Sequence, residues 1–157
     1  MFRPIASQGL VKGKGNHEVT LQENYSDAIA EHCASDLGIP YGGYQYFLRL
    51  IFDCYGRRHS WLIHGWHGSG TAQSEGARVM RLMRLVNEIQ ADIYLMGHLH
   101  GYASYETARL SLDDKGLIHN HPLIAVMTSS WLLSYKQDSE TYGEIKGYKP
   151  SVIGPLS

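Results

Sequence analysis

The chain has 157 residues, of which 43% are hydrophobic and 18% charged, and a formal net charge of −1. That length suits one domain burying about 68–70% of its unfolded surface, and the composition excludes both a disordered polyelectrolyte and nucleic-acid binding driven by the charge of the whole chain. Two cysteines, Cys33 and Cys54, make neither a disulfide framework nor a thiolate zinc motif, and no apolar run reaches the length of a membrane span or a signal-peptide core. The expectation is a reduced, cytoplasmic chain forming a single domain over residues 1–157, with no membrane partner.

In chain order, Thr20-Leu21-Gln22-Glu23 has capping-box spacing, and Ser26 is placed to cap a helix running to about Leu37, where Gly38 and Pro40 stop it. The Gly15–Glu18 segment then reads as a loop ahead of that helix. Tyr44–Phe52 is aromatic and β-branched enough for a strand, Tyr55-Gly56 is a turn, and His59–Ile63 is a second strand running into His64. From Ser74 to Gln90, Val79, Leu82, Met83, Val86 and Ile89 follow helical spacing, with Arg78, Arg81 and Arg84 mainly on a solvated side. Ala91–Met96 reads as a buried strand, and strand, helix, strand is the order a parallel pair requires. Ala108–Leu112 and Leu117–Met127 form a hairpin across Asp113–Gly116, and the remaining Gly-, Tyr-, Ser- and Pro-rich stretch is loop.

Three short blocks carry the chemistry: Gly15-Asn16-His17-Glu18, His64-Gly65 and Gly97-His98-Leu99-His100. On an extended segment residues i and i+2 point the same way, so His98 and His100 can converge on one small volume, with Gly97 and Gly101 letting the backbone approach it. Asn16 adds an amide oxygen and His64 a further imidazole, a mixed donor set that suits zinc, manganese or iron better than calcium. Taken singly, each block is an ordinary turn with a polar residue. His67 reads as a solvated loop histidine, a spare ligand or a substrate contact being the other readings, and His32, His59, His119 and His121 belong to no motif.

In this order the three blocks resemble the last metal-site blocks of the calcineurin-like metallophosphoesterases, whose pattern is Asp-x-His, Gly-Asp, Gly-Asn-His-Asp/Glu, His and Gly-His-x-His. Only fourteen residues precede Gly15, none of them Asp, Glu or His, so the first two blocks are absent. The resemblance runs from about Gly13 to Gly101. It implies an α/β fold, a partial two-sheet sandwich with flanking helices (αββα) that lacks the amino-terminal strands. It also implies roles for the residues that match: Asn16, His64 and His98 as ligands of a second metal, His100 as a ligand of a first, and His17 beside the phosphate as general acid or transition-state stabiliser, contacting substrate together with Asn16. Glu18 would support its loop.

The implied activity is phosphoester hydrolysis, by a phosphodiesterase or phosphatase present as a carboxyl-terminal fragment, with a dinuclear manganese, zinc or iron centre in the complete site. Two metals there place the nucleophile and neutralise developing charge. The ligands missing from the first metal would have to come from an amino-terminal segment or from a second copy in a homo-oligomer. The substrate would be a phosphoester, with nucleotides and nucleic acid among the candidates because Tyr41, Tyr44, Tyr46 and Trp66 could stack a base. A reading of another class is a non-catalytic metal-binding or interaction module derived from such an enzyme, and a third is a mononuclear zinc protein using His64, His67, His98 and His100.

Overall fold

The computed structural model describes residues 7–25 and 28–150. The chain divides into two compact units, Met1–His67 and Gly68–Ser157. Both mix strands with helices, so the architecture is α/β. The cap expected at Ser26 falls outside the described residues.

In the first unit a short strand β1 (Lys12–Gly13) leads into helix α1 (Asn16–Tyr25), followed by α2 (Ile29–Leu37), β2 (Tyr41–Gly43), β3 (Gln45–Cys54) and β4 (Arg57–Trp66). The Gly15–Glu18 segment is therefore not the loop expected from sequence. Glu18 is the third helical residue and its Oε2 accepts from the Gly15 N–H at 3.0 Å, while the Gly15 carbonyl accepts the first helical bond from Val19 N at 3.1 Å. This is the returning half of a capping box with glycine at the cap. The Thr20-to-Glu23 spacing that competes with it lies inside the helix, where the Thr20 hydroxyl donates to the Asn16 carbonyl at 3.0 Å.

The stop read at Gly38 holds. Gly38 takes φ +66° and donates to Ser35 O, and Ile39 donates to Ala34 O, both at 3.0 Å, which is the Schellman closure. Strands β1 and β2 pair in parallel, and β3 pairs with β4 antiparallel. Tyr55 and Gly56 both have positive φ, 49° and 73°, so the hairpin closes on a two-residue turn of the primed kind that matches strand twist. That turn sets the register, pairing Cys54 with Arg57, Phe47 with His64 and Gln45 with Trp66. Both strands extend further than sequence suggested, and His64 lies within β4, two residues before its end.

In the second unit, helix α3 (Glu75–Glu88) is followed by β5 (Ile93–Met96), β6 (Ala103–Leu112), β7 (Ile118–Met127) and the one-turn helix α4 (Tyr142–Ile145). Ser74 caps α3 through its hydroxyl, which accepts from Ala77 N at 3.2 Å. Strand β7 is central here, parallel to β5 and antiparallel to β6. The stripe Leu82, Leu85 and Val86 is buried where α3 packs on these strands, and Tyr94, Met96, Ala125 and Met127 complete the core. Tyr94 has no solvent exposure, and its hydroxyl donates toward the Ile89 carbonyl at 2.6 Å and the Ala91 carbonyl at 3.0 Å while accepting from Ala91 N at 2.9 Å. One hydroxyl thus closes α3 and begins β5.

Among the described residues no helix is long and apolar enough to cross a membrane. Cys33 and Cys54 are exposed free thiols.

Replacing Tyr94 with phenylalanine keeps the ring packing and leaves the buried Ala91 N–H without its acceptor. Tyr94→Phe is expected to lower the unfolding free energy by about 1–3 kcal/mol in urea titrations. A loss below about 0.5 kcal/mol would mean that the hydroxyl is not what holds this junction.

Candidate metal and phosphoester site

In the first unit the candidate residues stand on the first turn of α1 and on β4. Asn16 and His17 are the first two residues of α1, Asn16 half-buried and His17 exposed. Gly15 is buried, and a side chain there would collide with the His67 ring: a Cβ would stand 2.7 Å from Cε1 and 3.2 Å from Glu18 Oε2. His67 is not a solvated loop residue. It is half-buried, its Nε2 is 2.8 Å from Asn16 Oδ1, and its ring meets Tyr44 edge-on with centroids 5.2 Å apart. Glu18 joins the same cluster. Burial would raise its carboxyl, but bonds from its own N–H and that of Gly15, together with the charges of Lys12 and His67, hold it below the usual value. Glu18 supports the start of a helix, where a supported loop was expected.

His64 is fully buried, and its Nε2 lies 2.7 Å from Gln45 Nε2. An amide nitrogen only donates, so the imidazole nitrogen facing it carries the lone pair. Burial pushes the His64 pKa down, which favours the neutral ring a metal requires. The side chain of Gln45 was not singled out from sequence, although the Tyr55-Gly56 turn contains the signal. Its register puts Gln45 on the His64 face of the hairpin, one same-face position along from Phe47.

In the second unit β5 ends at Met96 and delivers Gly97–His100 into a tight turn. The extended His-x-His geometry read from sequence is wrong. His98 has φ +71° and His100 φ +51°, and Leu99 N donates to Gly97 O at 2.9 Å, so His98 sits at the centre of a γ-turn of the strained, positive-φ kind. The period-two argument fails because it holds only while the chain remains in the β region. Both imidazoles are half-buried, and His100 meets the Tyr148 ring edge-on with centroids 5.8 Å apart. Tyr148 in turn meets Tyr142 at 5.9 Å, and its carbonyl accepts from the Tyr135 hydroxyl at 2.5 Å.

Two of the helix arginines are structural rather than merely solvated. Arg81 Nη1 donates to Ser69 O at 2.7 Å, and Arg78 Nη1 donates to Gln73 O at 3.3 Å. A Cβ on the buried Gly101 would stand 2.7 Å from Arg78 Nη1, so the guanidinium lies flush against the turn that follows His100. Arg84 is exposed, as expected.

The structure thus brings Asn16, Glu18 and His67 together in one unit and His98 and His100 into one turn of the other. Among the described residues no group of three or more His, Cys, Asp or Glu side chains stands ready to hold a metal ion. His32, His119 and His121 are exposed; His119 bonds Asp113 Oδ2 at 3.1 Å and His121 bonds Ser111 at 2.8 Å, supporting the β6–β7 hairpin.

No family model, curated protein or solved structure matches the chain.

Two measurements follow from this geometry. The positive φ at residue 98 costs an L-residue on the order of 1 kcal/mol, so His98→Gly should be more stable than His98→Ala by about that amount in denaturant titrations. Equal stability, or a more stable alanine variant, would show the backbone there to be unstrained. The depressed His64 pKa means that the unfolded chain binds the proton more readily than the folded one. In chelator-treated protein, the stability His64 contributes is therefore intact above its unfolded pKa of about 6.5 and declines as pH falls toward the lower folded value. His64→Gln should flatten that part of the stability–pH curve, and an unchanged slope would remove burial of His64 as its cause.

Proposed function

We propose that the chain carries the Asn-His, His and His-x-His portion of a calcineurin-like metallophosphoesterase. The complete enzyme would hydrolyse phosphodiesters or phosphomonoesters in the cytoplasm, with nucleotide and nucleic-acid phosphodiesters the favoured substrates. The observation that carries the reading is the ordered set of blocks, whose last member holds two histidines in left-handed backbone at the end of a core strand. Conformations of that cost persist where the surrounding structure enforces them, and they concentrate at functional sites.

By donor type, the amide oxygen of Asn16 and the imidazole of His64 in the first unit, and the imidazoles of His98 and His100 in the second, each suit a borderline divalent ion such as manganese, zinc or iron. They do not fill a dinuclear centre, since the Asp-x-His and Gly-Asp blocks do not occur in the sequence. A bound metal would supply Lewis-acid polarisation of a phosphoryl oxygen. His17, exposed beside Asn16, donates a proton or hydrogen bond to the phosphoester, and burial favours neutral His64, whose Nε2 lone pair is engaged by the Gln45 amide that a metal would have to displace. The remaining ligands come from another segment or from a second copy of the chain.

Exposed Phe47, Ile51 and Phe52 on β3 favour a second reading, that of a metal-binding interaction module without turnover. Metal counting and hydrolysis of a chromogenic phosphodiester on the purified chain separate the two. The expected result is one transition metal, lost in His98→Ala and retained in His17→Ala, with little hydrolysis until the missing ligands are restored in cis or in trans. Equal metal binding by wild type and His98→Ala would overturn the ligand assignment. Full metal loading without hydrolysis after restoration would favour the module.

A further inference from the structure

We propose that His67 is a positioning residue that fixes the side-chain amide of Asn16, holding its oxygen rather than its NH2 group toward whatever Asn16 ligates. The contact stands on its own geometry, and only its consequence for a metal rests on the reading above.

Every side of His67 is constrained. Its backbone N–H donates to Tyr44 O at 3.0 Å, which pins the residue just past the end of β4. Its ring meets the Tyr44 ring edge-on, and the other flank lies on Gly15, where a Cβ would approach Cε1 to 2.7 Å and Nδ1 to 3.0 Å. The backbone anchor and two packed flanks direct Nε2 at Asn16 Oδ1, 2.8 Å away. A carboxamide oxygen only accepts, so Nε2 carries the proton in this contact.

The converse holds for Asn16. As first residue of α1 its backbone is held by the bond from Gly15 N–H to Glu18, but nothing in the helix chooses between the two ends of its amide. An imidazole N–H makes that choice, since it would oppose an NH2 and attracts an oxygen. The oxygen has two lone pairs. One receives the His67 proton and the other remains for a cation. Without His67 the amide is free to turn its NH2 group, which cannot ligate, toward the site. Partners that orient a ligand in this way are worth about 10–100-fold in metal affinity.

The contact is tested on the full-length chain labelled with ¹⁵N. Long-range ¹H–¹⁵N spectra should show His67 as the Nε2–H tautomer, with its Nε2 and Nε2–H resonances moved in Asn16→Ala as the acceptor is lost. An Nδ1–H ring, or one indifferent to Asn16→Ala, overturns the proposal.

The consequence is tested by Mn²⁺ calorimetry. His67→Phe, which keeps the ring packing, should weaken binding about 10–100-fold in the wild-type background and by less than about twofold in the Asn16→Ala background, because the two residues act as one unit. His67→Gln, which restores an N–H donor, should recover affinity to within about threefold of wild type. Equal losses in both backgrounds, or failure of glutamine to rescue a folded chain, overturn the positioning role. A wild-type chain that binds no Mn²⁺ yet keeps the Nε2–H resonance that responds to Asn16→Ala removes the proposed function and leaves the orientation of Asn16 by His67 standing.

Discussion

The buried hydroxyl of Tyr94 is the interaction on which the second unit turns. Chain passing from helix to strand exposes carbonyls and amides that have no partner in either element, and inside a core water cannot supply one. Tyr94 answers at Ile89 and Ala91 at once, so α3 ends and β5 begins within a few residues, with the strand sunk between the helix and β7. The depth at which β5 is set determines where Gly97–His100 emerges. Arg109, bonding the last-turn carbonyl of Val86 at 3.0 Å from β6, ties the same helix to the sheet a second time.

Such anchoring matters because the turn it delivers is costly. Two L-residues in left-handed backbone within three positions are each disfavoured by on the order of 1–2 kcal/mol, and His98 is further confined to a γ-turn. The chain accepts this between two well-paired segments. On one side Thr128 N bonds Met96 O at 2.8 Å, and on the other Ala103 opens the long β6–β7 ladder. Gly68 packs on the Gly97 carbonyl and the His98 Cβ, and the Arg78 guanidinium lies against Gly101. The loop entering α3 and the loop leaving β5 are thus wedged together, which offsets the local strain with packing.

Elements with a strong period were legible in the sequence. The α3 stripe, the β3–β4 hairpin and the glycine stop of α2 appear where spacing placed them, and so does the β6–β7 turn, although β6 begins at Ala103 rather than Ala108; each is decided by local pattern and turn chemistry. The start of α1 was misread since two acidic residues, Glu18 and Glu23, each stand three residues after a plausible cap, and only the bond from Gly15 N selects the first. The backbone of His98 and His100 was misread for a different reason. A period-two rule presumes β geometry, and no residue type in Gly-His-Leu-His forbids it, so the left-handed turn is a consequence of what packs around it. Arg78 and Arg81 have the spacing of a solvated face. Their engagement with Ser69, Gln73 and Gly101 depends on tertiary contacts that helix periodicity does not encode.

The candidate residues that the blocks name share one feature that the blocks do not contain. Asn16 is held by His67, His64 by Gln45 and His100 by Tyr148, while Arg78 backs the glycine that follows the last histidine. A short motif can specify donors, because donor chemistry is a property of the side chain alone. It cannot specify orientation, because an imidazole or an amide presents different atoms depending on rotamer, tautomer and flip. Those choices belong to neighbours brought in by hairpin register, by the end of β4 and by the folded tail. Among these neighbours only Gln45 was within reach of sequence reasoning, through the register of a two-residue turn. The lesson for this site is physical: the blocks declare which atoms could ligate, and the particular fold around them decides which of those atoms face inward.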